Sequence, residues 1–143
     1  MNAMHRIKLC VGTGLGAAAI LLAGCAGMPM GKEVHVSLSG AEQVPAVSTA
    51  ARGKGTINVA EDRSVSGSVS ISGLAPVAAH IHVGARGKNG PVAIGLKKDS
   101  DTMWSVPPGA KFTDDQYKAF MAGETYLNFH TPANKGGEIR GQL

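Results

Sequence analysis

Cysteine is scarce in this chain: there are two among 143 residues, Cys10 and Cys25, and both sit near the start. Nothing beyond Cys25 can therefore close a disulfide or supply a thiolate to a zinc site. The apolar stretch from Leu9 to Leu22 spans fourteen residues, short of the roughly 20 that a membrane-spanning helix needs. Nucleophile motifs are missing as well. There is no Gly-x-Ser-x-Gly and no free thiol beside a histidine, so hydrolase chemistry fits poorly. Internal repeats and low-complexity blocks are absent too. The formal net charge of +4 is too small to argue for nucleic acid as a partner.

What is present begins with a leader. Arg6 and Lys8 precede the apolar stretch, and Leu22-Ala-Gly-Cys25 follows it. A positive n-region, a short h-region and small residues at a cleavage point are the parts of a signal peptide. Leu22-Ala-Gly-Cys25 resembles the bacterial lipobox. That resemblance implies cleavage before Cys25, diacylglycerol on its thiol and a membrane partner through that lipid. With Ala26 rather than aspartate next, it also implies sorting to the outer membrane, facing the periplasm. Gly12-Thr-Gly14-Leu-Gly16 looks like a glycine loop but falls within this leader, and a nucleotide site there is rejected. Removing Arg6 and Lys8 lowers the basic count from 14 to 12 against 10 acidic residues, which weakens the nucleic-acid reading further.

The expected organisation is a signal peptide over 1–24, a lipidated Cys25 with a flexible tether over 25–32, and one domain over 33–143. Strand signals dominate that domain. Val34, Val36 and Leu38 alternate with polar residues, and Ile57 and Val59 mark a second run. Val65, Val69 and Ile71 alternate with the serines at 64, 66, 68, 70 and 72, the clearest period-2 segment. Ala60 to Arg63 reads as the hairpin turn between those two runs. Further runs lie at 77–83, 92–96, 102–106, 125–131 and 138–143. About eight short strands with Gly- and Pro-rich turns predict an all-β, antiparallel Greek-key sandwich or barrel. One helix interrupts it. Thr113 and Gln116 form a capping box, Phe112 is placed to staple onto Tyr117, and Gly123 suits the C′ position, which predicts a helix over 114–122.

Histidines carry the most chemistry. In Val77-Ala-Ala-His-Ile-His-Val83 the apolar set faces one way, which leaves His80 and His82 together on the other face. At i and i+2 their Cβ atoms stand roughly 6–7 Å apart, a span two imidazoles close onto one metal. In Tyr126–Thr131, Leu127 and Phe129 make the buried face, so His130 shares the opposite one with Tyr126 and Asn128. Glu138, Arg140 and Gln142 form the corresponding face of the last strand. The expectation is a three-imidazole metal site, His80, His82 and His130, on the outside of the sheet. The alternative is a hydrogen-bonded polar cluster that orders the glycine-rich loop after Val83. His35 reads as a solvated strand residue, Glu138 as a surface carboxylate, and Asn128 and Tyr126 as groups orienting His130. Trp104, the single tryptophan, reads as a packing residue.

Several motifs agree in order with one family. Leu38-Ser-Gly-Ala-Glu-Gln-Val-Pro45, His80-Ile-His-Val-Gly84, Gly87-Lys-Asn-Gly-Pro91, Gly123-Glu-Thr-Tyr-Leu-Asn-Phe-His-Thr-Pro132 and Gly137-Glu-Ile-Arg-Gly-Gln142 together resemble the CHRD domain, named from chordin. The resemblance covers roughly 34–143 and implies a secreted or surface-exposed β-sandwich. It implies little about activity, because fold does not determine function. The His-x-His, the later single histidine and Arg140 also resemble the copper half of copper/zinc superoxide dismutase. That likeness implies copper on His80, His82 and His130, and guidance of a small anion by Arg140. The chain departs from that enzyme in having no bridging histidine after Gly84, no zinc-ligand cluster and no disulfide. Copper is the expected cofactor, because a structural zinc site prefers four closed ligands, often thiolates, whereas copper heads the affinity order for imidazole. Two functions stay open: a copper-binding envelope lipoprotein, with superoxide-type redox chemistry if it is an enzyme, and a metal-free adhesion or interaction module for a protein or glycan.

Overall fold

A computed structural model describes residues 31–143. The expected signal peptide over 1–24, Cys25 and most of the expected tether lie outside the described residues. Nine strands form: β1 (Lys32–Ser39), β2 (Arg52–Val59), β3 (Val65–Ser72), β4 (Ala78–Val83), β5 (Val92–Gly95), β6 (Lys97–Lys98), β7 (Met103–Ser105), β8 (Thr125–His130) and β9 (Ile139–Gln142). One helix, α1 (Asp114–Met121), separates β7 from β8. β1 starts at Lys32, within the stretch expected to be tether. The added strand is the two-residue β6, too short to leave a periodic signal.

All nine strands belong to one sheet in the order β5-β4-β8-β9-β1-β2-β3-β7-β6, and every pairing is antiparallel. The two ends of this order, β5 and β6, are separated in the chain by Leu96 alone. A sheet whose edges are neighbours in sequence has to curl until those edges meet, so the architecture is a nearly closed barrel. Closure also protects edge strands that would otherwise offer unpaired backbone groups.

Alternation decides what fills the barrel. On β3, Val65, Val69 and Ile71 point inward while Ser66 and Ser72 are exposed. Leu38, Ile57, Ile81, Leu127, Phe129 and Ile139 complete an interior in which each is at most 1 % exposed. Trp104 of β7 meets Phe129 of β8 edge-on, with ring centroids 5.7 Å apart. Those strands are far apart in the sheet order, so this contact crosses the interior. The packing role expected of Trp104 is the one it has.

The hairpin turn and both helix ends form as anticipated, while the ring that Phe112 meets is Phe120, where Tyr117 was expected. Arg63 N–H donates to the Ala60 carbonyl at 2.9 Å and closes the hairpin turn. Thr113 Oγ1 accepts from Gln116 N–H while the Gln116 side chain accepts from Thr113 N–H, a complete capping box. At the other end Gly123 takes φ +74°. Its N–H reaches the Phe120 carbonyl and the Glu124 N–H reaches Ala119, which is a Schellman ending. Phe112 turns its ring against the fully buried Phe120, 6.0 Å between centroids, and so ties α1 to the core.

Candidate metal centre

β4 and β8 pair directly, with His80 opposite Asn128, His82 opposite Tyr126 and Ala78 opposite His130. Neighbouring strands in this register bring the three imidazoles onto one outer patch of the barrel. Their ring centroids lie 4.9 Å (His80–His130), 5.5 Å (His80–His82) and 5.8 Å (His82–His130) apart. One ligand nitrogen from each lies within 4.8 Å of the others, and no other group of three metal-ligating residues is this close among the described residues. His80 Nδ1 and His130 Nε2 are already 3.0 Å apart. A metal bonded at about 2 Å to each nitrogen sets tetrahedral N–N separations near ~3.3 Å, so His82 has the larger approach to make.

Tautomers follow from the partners. His82 Nδ1 is 2.9 Å from the Gly90 carbonyl, and His130 Nδ1 is 2.9 Å from the Lys135 carbonyl. A carbonyl only accepts, so both Nδ1 atoms carry hydrogen and both Nε2 atoms keep a lone pair. His130 Nε2 then accepts from His80 Nδ1. His82 Nε2 is buried and has no hydrogen-bond partner at all. Unsatisfied buried polar atoms are uncommon, and an absent ion is one explanation for them. Backbone carbonyls that orient a ligand imidazole through its second nitrogen are the usual support of a metal site. Burial holds the His80 and His82 imidazoles below the ordinary histidine range. The neighbouring His130, and for His82 also Arg140, push the same way, while the Gly90 carbonyl opposes this at His82. Neutral imidazoles are the form that ligates.

The site lies on the outer face, as expected, and much of that face is covered. β8 is buried on both sides from Thr125 to Phe129, with Tyr126 1 % and Asn128 3 % exposed. The segments 84–91 and 131–138 fold back over the sheet, together with residues 43–51. Gly90 fits only because it lacks a side chain, since a Cβ there would meet the Val83 carbonyl oxygen at 1.7 Å. Its N–H donates to Tyr126 Oη at 3.1 Å. Asn128 Oδ1 accepts from Gln43 Nε2 at 2.7 Å, and Asn128 Nδ2 donates to the Gly136 carbonyl at 3.0 Å. Asn128 thus secures the segment whose Lys135 carbonyl orients His130. Tyr126 serves His82 instead of His130: their rings stack at 4.9 Å and 8°. The 131–138 cover and its Lys135 carbonyl escaped sequence reasoning, whereas ordering of the glycine-rich loop after Val83 by the histidines was the alternative expected, and His82 does bond Gly90 there.

The other singled-out residues lie around this patch. Arg140 is 1 % exposed, with its guanidinium carbon 3.5 Å from the Tyr126 ring centroid. It donates to the Ala85 carbonyl, Asn89 Oδ1 and Gln142 Oε1. Its place is beneath the 84–91 loop, one ring beyond His82. Glu138 accepts from Thr49, Thr131 and Asn134 and clasps two covering segments. The Thr131 hydroxyl is the main reason its carboxyl sits below the ordinary range. His35 lies elsewhere on β1, bonded to Thr56 and near Glu33. Beside the histidines a groove of about 490 Å³ opens, lined by Val77, Ala78, His80, His130 and Pro132 among others.

Barrel and cluster together define a small all-β domain that presents three convergent imidazoles under a loop cover. The CHRD domain family model matches residues 34–143, and the chain belongs to that family. No curated protein and no solved structure matches the chain.

Proposed function

We propose that this protein is an envelope lipoprotein whose CHRD domain binds copper through His80, His82 and His130. The observation that carries the reading is the buried Nε2 of His82, which has no partner, in a ring that offers one ligand nitrogen within 4.8 Å of those of His80 and His130. Two of the three rings are oriented by backbone carbonyls, which puts both lone pairs on Nε2; that of His82 is free, and that of His130 accepts from His80 Nδ1. Three imidazoles with no further ligand in the group suit copper, which tops the affinity order for nitrogen donors. The lipobox-like Leu22-Ala-Gly-Cys25 supports a lipid anchor for this chemistry, at the outer membrane facing the periplasm. Copper storage or tolerance is the role; superoxide chemistry is the enzymatic variant, with Arg140 as the nearby cation.

The test is a titration of the metal-free protein with Cu(II), following d–d absorption, with Zn(II) as competitor. Saturable binding that is lost in a His80→Ala, His82→Ala, His130→Ala triple variant supports the reading. A titration silent for Cu(II) and, without oxygen, for Cu(I) as well, or one the triple variant reproduces, refutes it. Superoxide turnover no faster than that of free copper leaves storage or buffering alone. The second reading, a metal-free interaction module for a protein or glycan, is favoured by one feature: Val77 is 68 % exposed at the lip of the apolar groove.

A further inference from the structure

The charge surrounding the histidine cluster is unusual for a site meant to hold a divalent ion. All three donors are neutral imidazoles, and no carboxylate joins them. The nearby acid, Glu138, is committed to Thr49, Thr131 and Asn134. On the far side of His82 lies a fixed positive charge. Arg140 is buried, its guanidinium lies 3.5 Å over the Tyr126 ring, and the opposite face of that ring stacks on His82. Its hydrogen-bond acceptors are all uncharged: a backbone carbonyl of Ala85 and the side-chain amides of Asn89 and Gln142. Glu42, the acid whose field reaches it, is itself bound to Arg86 at 2.6 Å. Among the described residues no carboxylate pairs with Arg140.

We infer that the centre selects the monovalent cuprous ion over divalent copper and zinc, and that Arg140, acting through Tyr126 and His82, is the positioning residue that sets this preference. The inference rests on the copper reading above. A buried cation without a counter-charge raises the energy of every positive charge added nearby, and the cost scales with the added charge. A divalent ion therefore loses about twice as much as a monovalent one. Neutral donors do nothing to restore the balance. The couple Cu(II) plus one electron to Cu(I) shifts toward the reduced side, and its potential rises. The stack adds geometry to charge, because Tyr126 cannot tilt without disturbing both Arg140 and the ligand ring.

The experiment measures Cu(I) and Cu(II) dissociation constants separately, by competition with a chromophoric chelator for each oxidation state. Cu(I) is handled without oxygen, and binding by the triple histidine variant is subtracted to remove thiol and thioether contributions. Arg140→Gln removes the charge. Asn89→Asp leaves Arg140 in place and sets a carboxylate against it from an exposed loop position, so it decides the matter if Arg140→Gln does not fold. Each variant is expected to move the Cu(I)-over-Cu(II) preference about tenfold toward Cu(II), about 59 mV in a one-electron couple. Arg140→Lys, which keeps the charge, is expected to retain most of the preference. Folded variants with an unchanged preference overturn the role of Arg140 while leaving the copper site standing. A wild-type protein that binds neither ion overturns the copper reading and this inference with it.

Discussion

Metal binding to a folded site raises stability by mass action, which makes the histidine cluster testable without knowing its affinity. For one site with ligand in excess the gain is about 2.7 kcal/mol at a hundredfold excess over Kd, and about 1.4 kcal/mol for each further tenfold. The matched domain, residues 34–143, has about 110 residues. At about 2.1 cal/mol/K per residue its unfolding entropy is about 0.23 kcal/mol/K. The melting temperature should then climb by about 6 °C per decade of free copper above Kd. The three ligand nitrogens, within 4.8 Å of each other, come from β4 and β8, so an ion on them bridges two strands. Unfolding separates those strands and releases it. The assay is a thermal melt followed by far-UV circular dichroism across buffered copper concentrations. The His80→Ala, His82→Ala, His130→Ala variant should melt at one temperature throughout, whatever its starting value. A flat wild-type curve, or an equal slope in the triple variant, would refute the reasoning.

Other outcomes follow from the same geometry. Gly90→Ala should weaken copper binding and lower stability by more than about 1 kcal/mol, because its Cβ would meet the Val83 carbonyl at 1.7 Å and displace the carbonyl that orients His82; copper titration and urea unfolding check both halves. Phe129→Ala should cost about 3–5 kcal/mol in urea unfolding, since it empties a fully buried position and removes the edge-on contact with Trp104. Without metal, stability should fall as pH drops below about 6.5, because His80 and His82 bind protons less readily folded than unfolded. Stability is then fully present above the unfolded value and lost toward the lower folded one; a melting temperature constant from pH 7.5 to 5 would contradict this. Glu138 has the same sign at lower pH, since its folded carboxyl also titrates below its ordinary value. Glu138→Gln should flatten the part of the acid limb below about pH 4.5.

Much of the architecture was legible because β structure writes itself into a sequence with period two. The serine–valine alternation of β3, the His-x-His of β4 and the Thr113/Gln116 box are local patterns, and each formed where its residues stand. Placing His80 and His82 on one face needed only the alternation of side chains along a strand. Bringing His130 to them needed the knowledge that β4 and β8 are neighbours, although 50 residues separate His80 from His130. No local signal encodes that. β6 was missed because two lysines have no period.

What the sequence determined by itself was the inventory: a lipobox-like Leu22-Ala-Gly-Cys25, no thiol beyond it, alternating strands, and imidazole nitrogens in place of thiolates as donors in the domain. Those follow from residue identity and spacing, which act over a few residues. What only the tertiary structure decided was which surfaces are covered and which charges are left unpaired. Arg140 was expected, from the resemblance, to guide a small anion; the folded chain buries it under a loop and against Tyr126. Its partners come from segments more than 50 residues away as well as from its own strand. Burial and electrostatics are sums over neighbours in space. They come into being only when the sheet curls until β5 and β6 meet and the glycine-rich loop folds back over the histidines.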